Sequence, residues 1–105
     1  KYDVETRTVQ AKDFYPSLLG EPVFVPCHGS NQEDEGFLLM MSFEPDRQQT
    51  FLHVLDAKTL QQHARLLLPH NVPLGFHGTF VESFENPAKT VNFESRNYVA
   101  NSGGE

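Results

Sequence analysis

The sequence has one cysteine, no tryptophan, and eight Lys and Arg residues against fourteen Asp and Glu. With Cys27 alone, no disulfide can form within the chain, and a reducing intracellular compartment is expected rather than secretion. Cys27 itself reads as a small buried apolar residue at a strand end. The net charge of −6 would repel a phosphate backbone and no basic stripe offsets it, so a nucleic-acid partner is not expected. No apolar run nears the roughly 20 residues of a membrane-spanning helix, and Lys1-Tyr2-Asp3 does not read as a signal-peptide start. Peripheral contact with a membrane stays open, because a small apolar patch leaves no trace of this kind. Internal repeats and low-complexity tracts are absent too.

What is present is a chain of 105 residues, enough for one domain and not for two. Nine Phe and three Tyr suggest a Phe-based core, and seven Gly and seven Pro supply turn signals. Tyr2 to Val9 alternates apolar and polar residues around a tight turn at Glu5-Thr6-Arg7. Gly20 ends an irregular link, and Val23-Phe24-Val25 forms a compact strand between Pro22 and Pro26, which cannot donate ladder hydrogen bonds and so belong at its ends. His28 to Glu35 is a polar loop whose acidic cluster, Glu33-Asp34-Glu35, lacks the spaced oxygens of a calcium loop and reads as a solvated turn. Gly36 to Phe43 is nearly continuously apolar, the pattern of a strand buried on both faces. A turn at Glu44-Pro45-Asp46-Arg47 leads to a strand over Thr50 to Leu55.

Ala57 to Gln62 has residues for a brief helical turn. His63 to Leu68 reads as a strand, although periodicity alone allows a short helix over Leu60 to Leu68. Leu74 to Val81 is expected to be the last strand, and from Glu82 to Glu105 the chain reads as a polar tail or extension in which Phe84, Val91, Phe93 and Tyr98 are the apolar positions. Short strands at regular spacing with turns between them indicate an all-β sandwich, barrel or propeller piece. A four-stranded meander from Val23 to Val81 has the size of one propeller blade, which cannot cover both of its own faces.

The chemistry-bearing residues are sparse. Five histidines, His28, His53, His63, His70 and His77, form no His-x-His or His-Glu-x-x-His pair, so no local metal site exists. There is no nucleophile–histidine constellation with a supporting motif and no phosphate-binding glycine loop. The unusual feature is Gly75-Phe76-His77-Gly78, where small neighbours leave an imidazole unencumbered and let the backbone approach another group. His77 is read either as an ordinary histidine or as a metal ligand whose companions lie far away in the fold. His70 reads as a loop residue. Glu21, between Gly20 and Pro22, is either an exposed strand-end charge or a carboxylate placed at the mouth of a buried strand.

Taken in order, several segments resemble the carotenoid cleavage oxygenases: Lys1-Tyr2-Asp3-Val4-Glu5-Thr6, Gly20-Glu21-Pro22-Val23-Phe24-Val25-Pro26, Glu33-Asp34-Glu35-Gly36-Phe37-Leu38, Leu55-Asp56-Ala57-Lys58-Thr59-Leu60, Ala64-Arg65, and Val72 through Phe80. The resemblance implies the C-terminal blade region of a seven-bladed β-propeller, covering residues 1–81, with antiparallel strands and the rest of the propeller as its partner. It implies a non-haem Fe(II) dioxygenase that uses O₂ to cleave carbon–carbon double bonds of carotenoid or apocarotenoid polyenes. In that family four histidines hold the iron, and the position carried onto His77 is the last of them. The glutamate that hydrogen-bonds an iron-bound histidine is carried onto Glu21, a role that fixes the tautomer and aim of the ring. Phe76 would either wall the substrate channel or pack within the blade. The compartment implied is intracellular, cytoplasmic or plastid, with the membrane question open. The other three ligands have no counterparts here, and the stretch from Glu82 to Glu105 is expected to fall outside the family match. The alternative from a different class is a stand-alone, non-catalytic β-domain that binds a ligand or a protein.

Overall fold

The computed structural model describes residues 1–82; of the polar tail read from Glu82 onward, everything after Glu82 lies outside the described residues. The described residues are all-β and every pairing among them is antiparallel. A short hairpin joins β1 (Tyr2–Asp3) to β2 (Thr8–Val9). The main sheet contains β3 (Leu18–Leu19), β4 (Val23–Pro26), β5 (Gly36–Glu44), β6 (Gln49–Asp56) and β7 (Gln62–Leu67). β5 is central: it pairs along one side with both β3 and β4 and along the other with β6, which pairs in turn with β7. β4 to β7 form a four-stranded meander from Val23 to Leu67, shorter than the Val23 to Val81 expected.

Two aspartates organise hairpin turns, one in the β1–β2 hairpin and one in the meander. Asp3 Oδ1 accepts the backbone N–H groups of Glu5 and Thr6 at 2.9 and 3.0 Å, and Arg7 closes the β1–β2 turn at φ 58°. Asp56 Oδ1 accepts those of Lys58 and Thr59 at 2.8 and 2.9 Å, and Leu60 follows at φ 62°. A short side chain that mimics the backbone is what makes Asp favourable here. The brief helical turn expected after Ala57 reduces to one bond, from Leu60 N–H to the Asp56 carbonyl at 2.8 Å, inside the β6–β7 hairpin.

The pleat sends Met40 and Ser42 of β5, with Phe51, His53 and Leu55 of β6, to one face, where all five are buried. Phe14 crosses this face with its ring edge-on to His53 at 5.0 Å, and an apolar groove of about 610 Å³ lies beside it, lined in part by Phe24, Leu38 and Leu60. His53 is fully satisfied: Gln62 Oε1 lies 2.7 Å from Nδ1 and Ser42 Oγ lies 2.7 Å from Nε2. The opposite face carries Phe37, Leu39, Met41, Phe43, Leu52 and Val54, all half-buried. The expectation that β5 is buried on both faces is therefore met on one, because only that face has the N-terminal segment over it. Cys27, just after β4, is half-buried rather than buried and its N–H donates to the Glu35 carbonyl at 3.0 Å.

Two other expectations change. Leu18–Leu19 lies in the stretch read as an irregular link, yet it pairs with Phe43 and Ser42. Residues 74–81, expected as the last strand, form no strand. Their composition suits one, but Pro73 precedes them, and where they pass the edge at Gly20 to Val23 the Gly78 N–H donates to the Glu21 side chain, not to a backbone partner, so no ladder forms.

Gly36 is the tightest point of the sheet. A Cβ there would stand 2.2 Å from the Val25 carbonyl oxygen, 2.8 Å from Phe24 Cε2 and 2.9 Å from Pro26 Cα. Two of these neighbours are backbone and cannot yield, so Gly36→Ala should cost about 1–3 kcal/mol or more, read as a lower urea midpoint; an unchanged midpoint would contradict the packing. The Asp56 turn has a pH signature. Its carboxyl is held below the usual carboxylate range, first by the Thr59 N–H, with the Lys58 N–H and His63 adding to it against desolvation. A lowered folded pKa means that the contribution is present above about pH 4, the unfolded value, and is lost as pH falls through the folded value. Asp56→Asn keeps the carbonyl acceptor but cannot titrate. A stability–pH profile of that variant should be flatter below about pH 4 than the parent's, with Asp3 and Asp34, lowered in the same direction, supplying what slope remains.

Candidate functional site

The main-sheet ladder contains one irregularity that matters for chemistry. Leu19 pairs with Ser42 and Val23 pairs with Leu39. Between these pairs the edge chain has Gly20, Glu21 and Pro22, whereas β5 has only Met40 and Met41. Three residues facing two is a β-bulge, which bends the strand and re-aims a side chain. Gly20 N–H keeps its ladder bond to the Met41 carbonyl at 2.8 Å, and Pro22 has no N–H to lose. Glu21 is the residue that the bulge turns out of the pleat.

Its carboxylate meets the chain 56 positions later in sequence. Glu21 Oε1 and Oε2 lie 3.2 and 3.3 Å from Nδ1 of His77, and Oε2 accepts the backbone N–H of Gly78 at 3.3 Å. The carboxylate therefore holds both the ring and the main chain beside it. A small cleft of about 120 Å³ is formed here by Gly20, Val23, Met41 and Leu74 with the pair. The His77 side chain is 86% exposed and that of Glu21 43%. Among the described residues no group hydrogen-bonds to Nε2 of His77.

The connection from β7 to this point runs across the end of the sheet. Leu68 N–H donates to the Thr50 carbonyl at 2.9 Å. The Thr50 hydroxyl donates to Asn71 Oδ1 at 3.3 Å and accepts Val72 N–H at 3.1 Å. Leu74 then reaches the bulge, with its Cδ2 3.6 Å from where a Cβ on Gly20 would sit. The glycines flanking this part of the chain do not serve a close approach within it: an added Cβ meets nothing within 4 Å at Gly75 and only a Val23 methyl at 3.8 Å at Gly78. Phe76 is 91% exposed, so the reading in which it packs within the blade is not what the fold does.

Other candidate groups separate cleanly from this pair. His70 is exposed on the connection, and His28 pairs with Glu82 at 2.8 Å in solvent. The acidic cluster is dispersed: Asp34 binds Lys1, Glu35 binds the Ser30 hydroxyl, and no group of three or more His, Cys, Asp or Glu among the described residues could hold a metal ion. Ser42, His53 and Gln62 make a serine–histidine–amide relay invisible to sequence spacing. Ser42 is only 1% exposed, so no substrate reaches it. An uncharged amide in third place also cannot stabilise an imidazolium as a carboxylate does.

Comparison with known proteins decides the family. The sequence profile described as "Retinal pigment epithelial membrane protein" matches residues 1–82. The chain belongs to the carotenoid cleavage oxygenase family. It is 45% identical to the mitochondrial carotenoid-cleaving dioxygenase of Mustela putorius furo over 85 residues, 77% of this chain and 15% of that one. It is 39% identical to a chloroplastic 9-cis-epoxycarotenoid dioxygenase of Arabidopsis thaliana over 94 residues, 89% of this chain and 16% of the relative. Its fold superposes on the crystal structure of cobalt-substituted Synechocystis ACO with a TM-score of 0.74 and 34% identity, covering 78% of this chain and 18% of the other. The chain thus spans less than one fifth of the length of the relatives it matches.

As a test of the donor set, the pair fits one position of a metal site. The carboxylate occupies Nδ1, which leaves Nε2 as the ring nitrogen facing outward, the arrangement in which an imidazole can ligate a metal. One nitrogen is one ligand, and the described residues offer no second beside it.

Proposed function

We propose that this chain is the C-terminal blade region, residues 1–81, of a seven-bladed propeller enzyme that cleaves carbon–carbon double bonds of carotenoids or apocarotenoids with O₂, and that His77 is one of its iron ligands. The single observation that carries the reading is the Glu21–His77–Gly78 arrangement, found in a chain whose relatives are named as carotenoid-cleaving enzymes. That one structural neighbour is cobalt-substituted supports a metal at such a site. The mitochondrial and chloroplastic names of the relatives support an intracellular compartment. Residues 82–105 are proposed as a polar tail or extension.

The role of each residue follows from its bonds. His77 holds its proton on Nδ1, where Glu21 accepts it, and so presents an unprotonated Nε2. Glu21 raises the donor strength of that nitrogen and fixes the ring plane. Gly78 N–H occupies part of the same carboxylate, preventing it from swinging toward the ligand position. His77 Nε2 would be the one ligand these residues give to Fe(II), which when bound would supply the chemistry by which O₂ attacks the polyene. Phe76, standing in solvent next to His77, is placed to meet an apolar polyene rather than the sheet.

The test is the iron content of the full-length protein. His77→Ala should lose most of its iron and activity, and Glu21→Gln should lose about 10–100-fold in metal affinity or turnover. Full iron stoichiometry in His77→Ala would refute the assignment. A stand-alone, non-catalytic β-domain would instead bind no iron in either form.

A further inference from the structure

The segment that carries His77 is, among the described residues, hydrogen-bonded to the sheet at two places. Among the described residues, the hydrogen bonds that Leu68 through Gly78 make to the sheet all go to Thr50 or to Glu21. Glu21 is the far anchor, and it is partly exposed. Thr50 is the near anchor; it is 0% exposed and uses its carbonyl, its hydroxyl proton and its hydroxyl lone pair on Leu68, Asn71 and Val72 respectively. Pro69 and Pro73 flank the anchored residues and limit how the backbone between them can bend. A shift at Val72 must therefore travel the few residues to Leu74, which touches the bulge, and on to His77.

We infer that Thr50 is a positioning residue for the candidate iron ligand: its buried hydroxyl clasps Asn71 and Val72 and so sets where His77 meets Glu21. The inference rests on His77 being a ligand for its consequence in the enzyme, though not for its structural content. Threonine suits the position doubly. Its β-branch fits β6, and its hydroxyl donates and accepts at once, which valine of the same shape cannot do.

The experiment uses the full-length protein loaded with Fe(II), with two readouts: the rate of iron release to a chromogenic chelator, and hydrogen exchange in peptides spanning residues 74–80. Thr50→Val should release iron about tenfold faster and exchange several-fold faster over 74–80, while Thr50→Ser, which keeps the hydroxyl, stays near the parent in both. Asn71→Ala lies at the surface and leaves the core intact, so it reports even if Thr50→Val folds poorly; a smaller change in the same direction is expected. Ser42→Ala removes another buried hydroxyl from the same sheet and should leave both readouts unaltered. Equal effects of Ser42→Ala and Thr50→Val, or unaltered exchange over 74–80 in Thr50→Val and Asn71→Ala, would overturn the proposal. If the parent holds no iron, the ligand assignment falls on that result alone, and the exchange data still decide whether Thr50 positions the segment.

Discussion

Because Leu18–Leu19 and Val23–Pro26 pair with the same strand one register step apart, the chain between them holds one residue more than the ladder can use. Everything in the candidate site follows from where that residue goes. An unbroken edge strand would alternate Glu21 between the two sheet faces like any neighbour. The bulge instead turns it toward the returning chain, with Gly20 keeping its bond to Met41 and Pro22 needing none. Gly36 has a related role at the other end of β4, since no side chain fits where β4 closes on β5. The edge strand is thus held tightly at one end and released at the other.

The Glu21–His77 contact is not strong enough to create this geometry. Both side chains are substantially exposed, and ion pairs or charged hydrogen bonds in such surroundings contribute about 0–1 kcal/mol after screening and side-chain entropy. The contact is better understood as the outcome of two rigid supports, the bulge under Glu21 and the buried Thr50 under the connection. That division suits a ligand site. The ring must be aimed closely, yet the groups that aim it should leave Nε2 open, which rules out burying His77 in the sheet itself.

How far these features could be read from the sequence depends on the range of the interaction responsible. β4, β5 and β6 were legible because a β-branched run between prolines, a continuous apolar run and an alternation are local signals, and their limits shift by only a residue or so; β7 was one of two readings, strand or short helix, until its pairing with β6 decided it. Leu18–Leu19 was not, because two leucines before a glycine carry no period; they are a strand only because Phe43 and Ser42 lie opposite. Leu74 to Val81 failed in the other direction: its residues favour a strand, but where it passes the edge at Gly20 to Val23 its hydrogen bonds go to the Glu21 side chain and not to a backbone ladder. His77 and Glu21 could be linked only through resemblance to a family, since no spacing rule joins residues 56 apart. Thr50 gave no signal at all. A threonine in a strand is the ordinary choice there, and its distinguishing bonds depend on a connection whose path the sequence does not specify.

The two faces of the sheet explain why the site stays incomplete at this level. One face buries Met40, Phe51 and Leu55 beneath the N-terminal segment. The other leaves Phe37, Leu39, Met41, Phe43, Leu52 and Val54 half-covered, a contiguous apolar surface of the kind that needs a partner in water. Val23 and Met41, which line the cleft beside His77, belong to that same face. In the proposed propeller, whatever packs against Phe37 and Leu39 would also close the cleft, lower the dielectric around Glu21 and strengthen its hold on the ring. Covering the face and completing the proposed site would then be one event, since packing that removes water from the sheet would also turn a weak exposed contact into a firm one.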